Sequence, residues 1–103
     1  MSEVSQFDLI RLAIKNRLIT RLDQVFPTVI KKGFAKEMGW NEGRLNKKLQ
    51  NAKLLDMEAV HKAHKALGLT PGETLMLMYN QYLQNIGEEP WLGDDYPKQD
   101  IIP

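Results

Sequence analysis

Cysteine is absent from the 103 residues of this chain, and serine and histidine occur only twice each, at Ser2, Ser5, His61 and His64. The lack of cysteine excludes disulfides and thiolate metal sites and is typical of a reducing compartment. Both serines lie at the N-terminus, and no glycine-rich phosphate loop or paired carboxylates stand out. We therefore expect no enzyme activity and no cofactor.

His61 and His64 are three residues apart on one predicted helix, a spacing at which both could bind one metal ion. Glu58 is a weak candidate for the third ligand, and no other residue has a convincing spacing. We therefore interpret the two histidines as part of an exposed helix face beside Lys62 and Lys65, and we expect no metal site.

The chain also lacks a long hydrophobic run. No stretch approaches the roughly 20 apolar residues that a membrane-spanning helix needs, and the N-terminus has no signal-peptide pattern. Hydrophobic residues make up 43% of the chain and charged residues 26%, as in ordinary soluble proteins. We expect a cytoplasmic protein with one domain over residues 1–87, followed by an acidic, proline-containing, irregular tail over residues 88–103.

The net charge of +1 conceals two halves of opposite sign. Residues 1–68 hold thirteen Lys and Arg against seven Asp and Glu, whereas residues 69–103 hold one against six. Residues 28–53 alone have seven basic and two acidic residues. This concentration of positive charge favours a polyanionic partner, and the alternative for any single residue is an ordinary solvated helix face.

Five stretches have apolar residues at the spacing of three or four that is typical of amphipathic helices. They predict helices over residues 5–26 (ending as early as 22), 29–38, 42–50, 57–67 and 71–86, and therefore an all-α protein with five helices. Thr28, Asn41, Asp56 and the Thr70–Glu73 capping box are the predicted N-terminal caps, and Pro71 suits the first position of the last helix. The predicted buried stripes are Phe7, Ile10, Ile14, Leu18, Leu22 and Val25 in the first helix, and Leu75, Met78, Tyr79, Tyr82, Leu83 and Ile86 in the last.

Residues 34–51 have the pattern of two helices joined by a tight turn. Gly39 follows the first helix at the position where a left-handed residue commonly ends it. Trp40 supplies an apolar plug and Asn41 caps the second helix. Leu45 and Leu49 lie one turn apart and predict the buried side of that helix. In DNA-binding proteins with this order of parts, the second helix enters the major groove and the first crosses the backbone.

These residues resemble the helix-turn-helix of phage-repressor and Cro-like regulators, also called the xenobiotic-response-element family. The family places a hydrophobe and alanine before Leu-Gly or Met-Gly, followed by an apolar residue, a polar cap and a buried aliphatic. The matching residues are Phe34, Ala35, Met38, Gly39, Trp40, Asn41 and Leu45. The resemblance covers residues 28–75 and implies a lambda-repressor-like five-helix bundle. It implies sequence-specific binding of double-stranded DNA by a small transcriptional regulator whose recognition helix is residues 42–50.

The resemblance assigns candidate roles to the polar residues of this region. Lys31, where the family commonly has glutamine, would bind phosphate together with Lys32, Lys36 and Lys53. Gly43, Arg44, Asn46 and Lys47 would face base edges or the flanking backbone. Glu42 either stabilises the start of its helix or accepts from a cytosine amino group. The predicted DNA-binding residues are Lys31, Lys32, Lys36, Asn41, Glu42, Gly43, Arg44, Asn46, Lys47, Lys48 and Lys53.

The Met-, Tyr- and Trp-rich C-terminal half leaves two further interpretations open. Part of the wide apolar stripe of the last helix could bury in a homodimer, because helix-turn-helix regulators generally pair across two half-sites. Alternatively, the chain is a protein-interaction module that uses this half to bind another protein. An antitoxin-like protein would combine both activities.

Overall fold

Five α-helices and two short 3-10 turns make up the regular structure of residues 6–26 and 28–92, the residues that this computed structural model describes. The prediction of an all-α protein with five helices is confirmed. None of these helices is long and apolar enough to cross a lipid bilayer. The elements are α1 (Gln6–Lys15), a 3-10 turn (Leu22–Val25), α2 (Lys31–Glu37), α3 (Glu42–Gln50), a 3-10 turn (Ala52–Leu54), α4 (Met57–Leu67) and α5 (Pro71–Asn85).

One apolar core receives side chains from every α-helix. The members that are almost completely buried share aliphatic or methionine side chains, which pack densely without leaving polar atoms unpaired. They are Ile10 and Ile14 of α1, Leu22 and Val25 of the first 3-10 turn, Met38, Leu45 of α3, Leu67 of α4 and Leu77 of α5. The core therefore holds α3 by one side and leaves its other side at the surface.

Side-chain caps start α3, α4 and α5 as predicted. Asn41 Oδ1 accepts from the Arg44 amide at 2.7 Å, and Asp56 Oδ1 accepts from the Ala59 amide at 2.9 Å. At α5 the Thr70 hydroxyl accepts from the Glu73 amide at 3.1 Å while the Glu73 carboxylate accepts from the Thr70 amide at 2.9 Å. Each cap satisfies amides that the first turn of a helix leaves without an intrahelical partner.

The predicted extent of the first helix was wrong, because α1 ends at Lys15 rather than near Leu22 or Phe26. Arg17 adopts a left-handed conformation with φ 60°. Its amide donates to Ile14 O at 3.0 Å and the Leu18 amide donates to Ala13 O at 2.8 Å, the pair of bonds that commonly terminates a helix. Leu18, predicted to be buried, is consequently 74% exposed.

The second predicted helix also starts later than expected. α2 begins at Lys31 after Ile30, and no side chain caps it. Thr28, the predicted cap, lies in a turn, where the Val29 amide donates to Val25 O at 3.0 Å. Pro27, which separates the first two predicted helices in the sequence, lies outside the described residues. Val29 is buried although it precedes the helix, so its hydrophobicity reflects packing of the connecting segment rather than helical periodicity.

The predicted buried stripe of α5 was only partly correct. Met78 and Leu83 are buried, but Leu75, Tyr79, Tyr82 and Ile86 are between 38% and 48% exposed. The core-facing side of α5 instead includes three polar residues that are at most 3% exposed: Thr74, Asn80 and Gln81. Asn80 and Gln81 form hydrogen bonds to backbone groups of other segments, and the Thr74 hydroxyl donates to Thr70 O at 3.1 Å, so all three side chains can be buried. A count of apolar residues alone could not identify that side.

The segment after α5 packs back on the helix. Residues 88–92 have no regular secondary structure, and Trp91 and Leu92 lie against the core. Asn80 holds the segment in place, since the Trp91 amide donates to Asn80 Oδ1 at 2.6 Å. The first residues after α5 are therefore anchored to that helix; residues 93–103 lie outside the described residues.

We expect Gly68→Ala to lower the free energy of unfolding by about 1–2 kcal/mol. Gly68 ends α4 at φ 68°, and a Cβ there would lie 3.2 Å from the Cβ of Phe7. Urea unfolding followed by circular dichroism measures the change. Gly72→Ala is the matched control, because Gly72 has no positive φ and its nearest neighbour would be Thr70 Oγ1 at 4.0 Å. Equal stability of the two variants would contradict the strain assigned to Gly68.

Candidate nucleic-acid interface

The connection between α2 and α3 is held by backbone hydrogen bonds. Gly39 has φ 78°, its amide donates to Lys36 O at 3.0 Å, and the Trp40 amide donates to Ala35 O at 2.8 Å. This geometry favours glycine because an L side chain would be strained at such an angle. The chain then turns and begins α3 within a few residues, so α2 and α3 are adjacent and their relative position is fixed.

Trp40 packs partly against the core, as predicted for an apolar plug. The ammonium of Lys48 lies 4.8 Å from the centroid of its ring, within the range of a cation–π interaction. Lys48 is therefore half-buried and held against Trp40. The indole does not stand out from the surface as a platform for base stacking.

The two sides of α3 differ sharply in exposure. Leu45 is completely buried and Leu49 is 6% exposed. The opposite side carries Gly43, Arg44 and Lys47, all exposed. These three residues line a shallow surface depression together with Asn41 and Lys48. The helix therefore presents a narrow basic surface with a glycine at its start, where another molecule can approach the backbone closely.

The eleven predicted DNA-binding residues divide into two groups by exposure. The half-buried ones are Lys31, Asn46 and Lys48. The exposed ones are Lys32, Lys36, Asn41, Glu42, Gly43, Arg44, Lys47 and Lys53. Lys32 and Lys36 lie one turn apart on α2, and Lys53 lies in the 3-10 turn that follows α3.

Most positive charge on α2 and α3 has no acidic partner within residues 6–26 and 28–92. Ion pairs join Arg11 to Glu73, Arg21 to Asp23 and Lys62 to Glu58, all outside α2 and α3. Lys32, Lys36, Arg44 and Lys47 are exposed cations that form no ion pair with any residue in these two ranges. Such a surface attracts polyanions and loses that attraction as salt concentration rises.

Side-chain amides of α5 hold the C-terminal end of α3, and the sequence interpretation missed them. Leu49 O accepts from Gln81 Nε2 and from Asn85 Nδ2, both at 3.0 Å. Gln81 Oε1 also accepts from the Asp23 amide at 2.9 Å, and Asn85 Oδ1 accepts from the Ala52 amide at 2.7 Å. We call these two residues the amide clamp. The available signal was the concentration of amide residues in the second half of α5, namely Asn80, Gln81, Gln84 and Asn85.

We expect Gln81→Ala to lower the free energy of unfolding by about 1–3 kcal/mol, because the Asp23 amide would lose its partner in a part-buried position. Thermal unfolding with and without the substitution measures the loss. Gln84→Ala is the matched control, since Gln84 is exposed on the same helix and should change stability by less than about 0.5 kcal/mol. A Gln81→Ala protein as stable as the control would show that the clamp contributes nothing.

The two histidines of α4 lie close together. The centroids of the His61 and His64 rings are 5.7 Å apart, and His64 Nδ1 lies 3.3 Å from Leu69 O. Across the described part of the chain, no group of three or more His, Cys, Asp or Glu residues has the spacing of a metal site.

Comparison of this chain with protein-family models, with curated proteins and with solved structures gave no match. The resemblance to phage-repressor-type regulators consequently rests on the motif residues themselves.

Proposed function

We propose that this chain binds double-stranded DNA sequence-specifically and acts as a small transcriptional regulator. The observation that carries the proposal is the exposed basic side of α3, where Arg44 and Lys47 form no ion pair with any described residue and the opposite side is buried next to α2. An α-helix fits the major groove, whose width is about 12 Å. In this arrangement Arg44 and Lys47 would reach base edges or flanking phosphates, and Gly43 would allow close approach of the backbone.

The remaining basic residues would position the protein rather than read sequence. Lys32 and Lys36 on α2 and Lys53 after α3 would contact phosphates, because α2 would cross the backbone while α3 occupies the groove. Glu42 is the first residue of α3 and directly follows Asn41, the N-terminal cap. A carboxylate there either stabilises the helix start or accepts from a cytosine amino group, and it disfavours a phosphate at that position.

The exposed stripe of α5 would bring two copies together. Leu75, Tyr79, Tyr82 and Ile86 follow one another at spacings of four, three and four residues on the side of α5 that faces away from the core. This is the spacing of a helix–helix seam. A symmetric pair would place two α3 helices on half-sites about one DNA turn apart.

Selection of the purified protein on a randomised double-stranded DNA library, followed by sequencing, tests the proposal at about physiological salt. We expect enrichment of one motif, with two-fold symmetry if the protein pairs through α5. Binding that depends on salt but shows no enriched motif would contradict the proposal.

One observation favours a second function, that of a protein-interaction module. Leu75, Met76, Tyr79 and Trp91 line an open apolar groove of about 690 Å³ on α5, and exposed apolar surfaces of this kind mark interaction sites. This alternative predicts weak, sequence-blind DNA affinity. Absence of a selected motif, together with a monomeric chain in sedimentation, would favour it over the regulator.

A further inference from the structure

One methionine differs from the others in its exposure. Among the described residues, Met38, Met76 and Met78 are buried, each at most 8% exposed, whereas Met57 is 71% exposed at the start of α4. The thioether of methionine is a soft, polarisable group that can donate electrons to a metal ion. On this helix it is open to an ion from solution, so the side chains beside it decide whether a site can form.

Two imidazoles lie on the same side of α4 as this thioether. At roughly 100° per residue, Met57, His61 and His64 fall within about 60° of the helix circumference, and residues three or four positions apart are neighbours on a helix surface. His61 is exposed and His64 half-buried, while Ala63 and Leu67 are buried in the core. We call Met57, His61 and His64 the methionine–histidine row.

The two rings of the row are close enough to share one ion. Their centroids are 5.7 Å apart. An ion bound at about 2 Å from a nitrogen of each ring would lie roughly 3.2 Å from each centroid, so the two centroids could be at most about 6.4 Å apart. The observed separation of the His61 and His64 rings is within that limit.

A backbone hydrogen bond prepares His64 for a metal ion. His64 Nδ1 lies 3.3 Å from Leu69 O. Because a carbonyl oxygen only accepts hydrogen bonds, Nδ1 carries the proton and the neutral ring keeps its lone pair on Nε2. Metal-binding histidines are commonly oriented in this way, with one ring nitrogen donating to a carbonyl and the other facing the ion.

The ligands of the row favour copper(I) over zinc(II). Zinc sites use three or four thiolate, imidazole or carboxylate ligands, and no such group of three is found in the described part of the chain. Thioether ligands select copper(I), and imidazole suits it as well. The Glu58 carboxylate is already paired with Lys62 Nζ at 2.9 Å. Lys65, exposed beside His64, repels a monovalent ion less than a divalent one.

We propose that Met57, His61 and His64 bind one copper(I) ion through the thioether sulfur and one nitrogen of each imidazole. The flexible methionine side chain can bring its sulfur to an ion held by the two rings. All three ligands belong to α4, outside α2 and α3, so the inference does not rest on the proposed function.

Titration of the purified full chain with copper(I) tests the proposal, under anaerobic and reducing conditions in competition with the chromogenic chelator bicinchoninate. We expect one copper(I) per chain, and a loss of affinity of about tenfold or more in Met57→Leu, His61→Ala and His64→Ala. X-ray absorption at the copper edge should show one sulfur and two nitrogen neighbours in the wild type, and no sulfur in Met57→Leu.

Glu58→Gln is the matched control, because Glu58 is exposed on the same helix and is not one of the proposed ligands. It should change copper(I) affinity by less than about threefold. Zinc(II) is the control metal and should bind at least about tenfold more weakly than copper(I). Circular dichroism checks that each variant is helical. A wild type that takes no copper(I) from the chelator, a Met57→Leu protein with wild-type affinity, a large loss in Glu58→Gln, or tighter binding of zinc(II) would each overturn the inference.

Discussion

We expect Lys47→Glu to weaken binding of the selected DNA by about 100-fold at physiological salt. Lys47 is exposed on the side of α3 opposite Leu45 and Leu49. The substitution removes a cation from the proposed DNA-facing side and would place a carboxylate against a polyanion. Fluorescence anisotropy titrations over a salt series measure the Kd, and the slope of log Kd against log salt should fall by about one or two.

Lys15→Glu is the control for this substitution. It changes the net charge by the same amount at the exposed last residue of α1, outside the proposed interface. Affinity should change by less than about threefold, because exposed charges beyond a Debye length are largely screened. Similar losses in both variants, or wild-type binding by a folded Lys47→Glu protein, would show that α3 does not enter the DNA.

We expect Leu45→Asp to unfold the protein at 25 °C. Leu45 is completely buried among aliphatic side chains, where an ionised carboxylate has no hydrogen-bonding partner. The penalty for burying such a group should exceed about 5 kcal/mol, which is comparable to the whole stability of a small domain. Far-ultraviolet circular dichroism should show loss of the helical spectrum.

Leu45→Met keeps the volume and the apolar character of the side chain. Its cost should stay below about 1.5 kcal/mol, and it should bind DNA like the wild type because the outward side of α3 is unchanged. A helical Leu45→Asp protein would contradict the placement of α3 in the structure.

Local signals made the boundaries of the last three helices predictable. Asn41, Asp56 and Thr70 can each bond an amide three residues later, and the structure contains all three bonds. Gly68 then stops α4 in the left-handed conformation. Capping is a short-range effect of residue type, so it can be inferred without knowledge of the tertiary fold.

The end of α1 was not predictable from the same kind of signal. Arg17 takes the left-handed position that glycine or asparagine usually occupies, and the apolar spacing continues through Leu18 and Leu22. Ile19 is buried and Leu18 exposed, an outcome decided by where the connecting segment packs. Periodicity extends across such a break because both segments contribute apolar residues to one core.

The exposed basic side of α3 could be predicted from the sequence, because helical geometry places Arg44 and Lys47 opposite Leu45 and Leu49. The hydrogen bond from Lys31 Nζ to Asn46 Oδ1 and the amide clamp could not be predicted, because each joins residues far apart in sequence. Fifteen positions separate Lys31 from Asn46, and 32 separate Leu49 from Gln81. Such contacts depend on tertiary distances that a pattern of polar and apolar residues does not encode.

The amide clamp also determines which register α5 adopts. Aliphatic contacts tolerate sliding or rotation of a helix, whereas bonds from Gln81 and Asn85 to defined backbone atoms are satisfied in one alignment only. A shift by one turn, about 5.4 Å, would leave the Leu49 carbonyl and the Ala52 amide without these partners. The outward stripe from Leu75 to Ile86 is therefore a fixed set of side chains, which the helix cannot bury by turning inward.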